Sequence, residues 1–74
     1  MPVIMQKYEL IKTIEAIKLN RRTLRPINKE VFTIPYGSII SDLTEDGDDR
    51  RFVYLGDPYE CSELVIRSAL RQLP

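Results

Sequence analysis

The sequence predicts a mainly β fold, a small, partly open barrel of about five strands closed by a C-terminal α-helix. Three observations point there. Turn-forming groups recur at Arg25-Pro26, Pro35-Tyr36-Gly37, Glu45-Asp46-Gly47-Asp48-Asp49 and Gly56-Asp57-Pro58, spaced about ten residues apart, the rhythm of short strands joined by turns. Between them lie β-branched and aromatic runs, Val31-Phe32-Thr33-Ile34 and Phe52-Val53-Tyr54, which suit a pleated surface. The last dozen residues shift to a helical period.

Taken in order, residues 1–12 admit no assignment. Leu10, Ile11, Ile14 and Ile17 suit one helix face, while Thr13–Leu19 equally suits a strand with Ile17 and Leu19 on one side and Ala16 and Lys18 on the other. Residues 5–19 therefore stay open between helix and strand. A strand over residues 15–24 is the reading carried forward, because nothing marks a cap or stop at Asn20-Arg21-Arg22-Thr23-Leu24-Arg25. Residues 30–34 read as the next strand, stopped by Pro35, which cannot donate to a ladder. Gly37 allows the sharp turn into a strand over residues 38–43, where the adjacent Ile39 and Ile40 break the alternation and suggest a bulge. Residues 44–49 read as an acidic loop with Gly47 free to take positive φ. Residues 51–55 are apolar on both faces, the mark of a strand in the sheet centre, and 59–61 form a short closing strand. Ser62 is an N-cap candidate for a helix over 62–73, with Ile66, Ala69, Leu70 and Leu73 along one face, Glu63 in the first turn, Arg71 in the last and Pro74 as the stop.

Length and composition narrow the class. With 74 residues the chain holds a single domain, residues 1–74. A chain this short buries only about 60% of its unfolded surface, and such a core supplies typically ~3–5 kcal/mol, so small domains usually need a staple. One cysteine, Cys61, rules out an intrachain disulfide, and with no histidine a tetrahedral thiolate zinc site cannot be built. No cofactor is expected. Elimination leaves a tight core or self-association, and a homodimer is the expected oligomer. A lone cysteine, no apolar run of membrane-spanning length and no leader-like N-terminus together predict a cytoplasmic protein with no membrane partner.

The net charge is zero but unevenly placed: residues 1–29 carry +5, residues 30–60 carry −6 and residues 61–74 carry +1. The halves either attract one another, within the fold or across a dimer, or present a basic face to an anionic partner.

Catalytic chemistry finds little foothold. Without histidine the commonest general base is missing. Cys61 beside a helix start reads as a buried structural thiol rather than a reactive one. Glu45-Asp46-Gly47-Asp48-Asp49 lacks the spacing of a calcium loop and reads as a solvated hairpin tip. The expected role is a non-enzymatic protein-interaction or assembly module. Its candidate binding residues are Tyr36, Tyr54, Tyr59, Arg50 and Arg51, since tyrosine and arginine dominate interface hot spots. The alternative is nucleic-acid binding through Lys18, Arg21, Arg22, Arg25 and Lys29, though no aromatic for base stacking lies between Tyr8 and Phe32.

Ile34-Pro35-Tyr36-Gly37-Ser38-Ile39-Ile40, with Arg51–Gly56 and Tyr59-Glu60-Cys61 after it, resembles the central passage of Src-homology-three-like small β-barrels of the bacterial kind, over roughly residues 15–61. The resemblance implies a small barrel used for binding. The peptide-binding members' Ala-Leu-Tyr-Asp-Tyr-like run, their tryptophan after the hairpin loop and their spaced Pro-x-x-Tyr are not in this chain. Arg50-Arg51 stands where the aromatic would be, so the resemblance does not extend to polyproline recognition, which needs an aromatic groove.

Overall fold

The structure is a computed structural model and describes residues 6–73, apart from the side chains of Asn28 and Lys29. Seven strands and one short helix follow one another as β1 (Lys7–Leu10), β2 (Ile14–Leu19), β3 (Pro26–Ile34), β4 (Ile39–Asp46), β5 (Asp49–Tyr54), β6 (Asp57–Ser62), α1 (Glu63–Arg67) and β7 (Leu70–Gln72). All pairings are antiparallel, and the sheet runs β3-β2-β6-β5-β4-β1-β7. The mainly β class therefore holds, as an open sheet with β3 and β7 at its edges. Its openness is clearest at β2 and β6, which pair only at Ile17–Glu60 and Lys18–Tyr59 and leave a cleft of ≈220 Å³ beyond, beside Glu15, Glu60 and Ser62.

Among the described residues the strands number seven rather than about five; of the two additional ones, one lies in the unassigned residues 1–12 and the other within the predicted helix. Residues 7–10 form β1. The predicted helix over 62–73 stops at Arg67. Ser62 does cap it, accepting from the Leu64 amide at 3.2 Å. After Ala69, however, the backbone goes to β1: Ile11 N–H donates to Ala69 O at 2.7 Å and Leu73 N–H to Lys7 O at 3.0 Å, with Leu10 opposite Leu70. A continued helix would strand the edge of β1, and pairing satisfies it. Ile66 and Ala69 are buried and Leu70 packs on the core, as the helical stripe implied, but in two kinds of structure.

The strand expected over 15–24 ends at Leu19. Asn20 Oδ1 accepts from the amides of Arg22 (2.8 Å) and Thr23 (3.1 Å), a local turn that competes with the ladder. Pro35-Tyr36-Gly37-Ser38 is a turn closed by Ser38 N–H to Pro35 O at 3.2 Å, and Gly37, at φ 88°, supplies the positive φ its third position demands. The bulge falls two residues beyond the isoleucine pair, between Ser41 and Thr44, with Asp42 at φ 55°. The acidic loop shrinks to a two-residue turn, because β4 and β5 pair as far as Asp46 opposite Asp49.

The core joins Leu10, Ile14, Ala16, Ile34, Ile40, Phe52, Tyr59, Cys61, Ile66 and Ala69. Phe52 is wholly buried and stacks on its cross-strand partner Tyr59 at 6.0 Å, and Tyr59 also meets the edges of Phe32 and Tyr54. Such aromatic pairs add to the burial itself. This cluster spans β3, β6 and β5 and fixes the β5–β6 ladder on which the surface features hang.

A candidate interaction surface

The β5–β6 ladder has two differently charged ends. Tyr54 opposes Asp57 at one and Asp49 opposes Ser62 at the other. Six residues of strand separate them by roughly 17 Å at the usual rise.

At the first end two turns meet. Asn20 folds residues 20–25 into a knot that carries Arg21, Arg22 and Arg25, and Leu55-Gly56 joins β5 to β6. Arg21 links the two: its Nε donates to Asp57 Oδ1 at 2.9 Å, and Lys18 Nζ approaches Asp57 Oδ2 at 3.5 Å. The Arg21 hydrogen bond holds the Asp57 carboxyl below its ordinary range. An open cleft of ≈500 Å³ lies here, walled by Lys18, Asn20, Arg21, Arg22 and Asp57. Arg22 and Arg25 have no acidic partner among the described residues.

Two leucines share this end, and both are in the left-handed region: Leu24 at φ 55° and Leu55 at φ 50°. That conformation crowds Cβ and is costly for a non-glycine residue. Yet neither leucine is buried, Leu55 being 81% exposed and Leu24 37%. A strained, exposed apolar residue gains nothing for the fold, which makes it a pointer to function.

At the opposite end the hairpin tip carries Glu45, Asp46, Asp48 and Asp49 around Gly47, at φ 63°. The start of α1 is tied to it, Glu63 N–H donating to Asp48 O at 3.1 Å. Arg50 is a clamp within this end: it donates to the carbonyls of Asp49 (2.9 Å) and Gly47 (3.3 Å) and pairs with Glu63 at 3.1 Å, with 16% of its side chain exposed. Arg51 reaches Asp46 at 3.1 Å and lies opposite Glu60. Glu60 is unusual: burial first, then the Asp46 and Asp49 carboxylates, push it up to about 7 against the pull of Arg51. Its Oε1 is buried without a partner, and protonation would let the carboxyl donate to Asp46.

The structure thus distributes the predicted binding residues. Tyr59 is core, Tyr54 packs on it, and Arg50 and Arg51 are engaged within the acidic end. Tyr36 is 71% exposed but stands apart, its amide bonded to Thr13 Oγ1 at the opposite end of β2 from Lys18. These five do not form one surface. Lys18, near the end of β2, and Arg21, Arg22 and Arg25, on the turn that follows it, lie at one end of the sheet. Lys29 lies outside the described side chains. Phe32 lies under the Lys18 ammonium, its ring centroid 5.5 Å away. Sequence reasoning missed Leu24 and Leu55. Leu55 was legible, since a leucine before Gly56 in a two-residue hairpin must take positive φ.

The Cys61 thiol is buried and pushed up to about 11, by burial first and then by the Asp49 and Glu60 carboxylates, so it stays protonated at neutral pH. Among the described residues no cluster suits a metal ion, and no helix is long and apolar enough to cross a membrane. Compared with family models, curated proteins and solved structures, the chain gives no match.

Proposed function

We infer that this chain is a non-catalytic protein-interaction or assembly module whose contact surface is the arginine–leucine end of the β5–β6 ladder. One observation carries the reading: Arg22 and Arg25, unpartnered within the described fold, flank two exposed leucines held in a costly backbone conformation. Charge around an apolar centre is how interfaces combine steering with burial. The partner it fits is acidic and amphipathic. The lone cysteine, Cys61, suits a reducing, cytoplasmic setting. The β4–β5–β6 meander, with β6 over the expected closing strand at Tyr59-Glu60-Cys61, supports the likeness to Src-homology-three-like barrels.

A titration with a synthetic peptide of alternating glutamate and leucine tests this. Saturable binding is expected, weakened at least about tenfold in R22E/R25E, the scale of rim charges that steer association. No binding at high peptide concentration would overturn the reading. Nucleic-acid binding is the second reading, because the same arginines gather on one turn. Retention on heparin that survives salt well above about 0.15 M would favour it.

A further inference from the structure

The acidic end carries its own exposed apolar residues. Leu64 is 74% exposed and Val65 41% on α1, whose first residue is hydrogen-bonded to the hairpin tip. Each end of the β5–β6 ladder therefore shows exposed aliphatic side chains among charges, and the charges are opposite. Arg21, Arg22 and Arg25 share the 20–25 turn with Leu24, and Arg21 reaches Asp57 next to the Leu55-Gly56 turn. At the other end Leu64 follows Glu63, which bonds the hairpin tip at Asp48 and is itself paired with Arg50 and Arg67, so that of these two acids Asp48 is the unpaired one among the described residues. Internal pairing leaves both ends with charge to offer: Arg22 and Arg25 have no partner among the described residues, and Asp48 likewise has none.

We propose that the occupant of the arginine–leucine end is a second copy of this chain, docked head to tail through its hairpin tip and α1. This rests on the reading above, that the arginine–leucine end is a contact surface, and names its partner. The contact is heterologous, since two different patches meet, and each added copy leaves one free end of either sign. Opposite charges set the register and burial of the leucines supplies the attraction. A two-fold arrangement of like ends would set arginine against arginine and is disfavoured by the same charges. The strain at Leu55 acquires a use: the left-handed turn holds the side chain out from the strand end, where a neighbour can cover it.

Sedimentation velocity and light scattering of the whole chain test this at ionic strengths of about 0.01 M and about 1 M, where the Debye length is ~30 Å and ~3 Å. At low salt the mean mass is expected to rise with concentration beyond that of a dimer, or to settle at a closed ring of more than two copies. R22E/R25E and E45K/D48K should each be monomeric, and an equimolar mixture of the two should associate again. L55N should raise the melting temperature while weakening association about fivefold or more, a separation that a merely structural residue would not give. A monomer at all concentrations in low salt overturns the proposal, as do a mass limited to two copies or charge variants that fail to complement. If the chain stays monomeric yet binds the glutamate–leucine peptide, the contact surface stands and only its occupant is wrong.

Discussion

The two ends of the β5–β6 ladder solve the same geometric problem differently. Each carries a two-residue turn, Gly47-Asp48 joining β4 to β5 at the acidic end and Leu55-Gly56 joining β5 to β6 at the basic one. At the acidic end the left-handed position falls on glycine, and the turn is held by Arg50 from within. At the basic end it falls on Leu55 as well as Gly56, the neighbouring Arg21 bonding the Asp57 side chain rather than the turn's carbonyls, and the apolar Leu55 side chain is in solvent. The difference separates a turn built for the fold from one whose conformation costs the fold something. Electrostatics differ in the same way. Carboxylates crowd Glu60 at the acidic end, whereas Asp57 at the basic end sits between cations.

Both ends rest on one core, and the largest expected effect tests that. Phe52, wholly buried midway along β5, links them through its stack on Tyr59. Phe52→Ala should cost ~3–5 kcal/mol, enough to unfold most of a domain this small. Amide exchange read separately at the two turns should show both ends losing protection together. If one end kept its protection, the ends would be independent units.

Glu60 gives the next effect. Its folded carboxyl titrates higher than in the unfolded chain, from an ordinary value of 4.5 up to about 7. Over that window the folded state holds a proton that the unfolded state has released, so stability is fullest below 4.5 and falls as pH rises towards 7. Glu60→Gln should abolish that fall, worth ~1–2 kcal/mol at pH 8 once solvent screening is allowed for. Denaturant melts at pH 4 and pH 8 check this, and equal gains at both would disprove it. Asp57 has the opposite sign: its depressed carboxyl contributes above the unfolded value of 3.8, and the contribution is lost as pH falls through the folded one.

The smallest effect is the sharpest. Leu55→Asn should stabilise by about 1 kcal/mol, because asparagine tolerates the left-handed region that leucine resists. Gly47→Ala, where φ is also positive but open space surrounds the position, should destabilise by a similar ~1 kcal/mol. Thermal melts of the two variants moving in opposite directions would confirm that, of the two turns, the basic one is strained and the acidic one is not.

Much of this fold was legible in the sequence. Pro35 with Gly37, the β-branched run ending at Ile34, and Phe52-Val53-Tyr54 each state their role locally, and the structure follows. What escaped was decided by distant partners. Nothing between Ile66 and Leu73 announces a strand, because their helical stripe and their β pairing bury the same side chains, and only the edge of β1 chooses between them. Asn20 was legible in principle as a turn residue but sits inside a run that alternates like a strand. The binding tyrosines differ for a related reason: composition marks Tyr54 and Tyr59 as hot-spot types, but Phe52 and Phe32 claim the Tyr59 ring for the core, and Tyr54 packs against Tyr59.

The bond from Leu73 N–H to Lys7 O brings the first and last strands side by side at one edge of the sheet. A short splice could therefore join them, and new chain ends could be cut at either two-residue hairpin without severing a ladder. A circularly permuted version opened at Gly47-Asp48 would keep the arginine–leucine surface whole, whereas one opened at Leu55-Gly56 would release its strain and divide it. The same proximity lets the domain be inserted into a host protein through a single loop, both of its turn-bearing ends still facing outward.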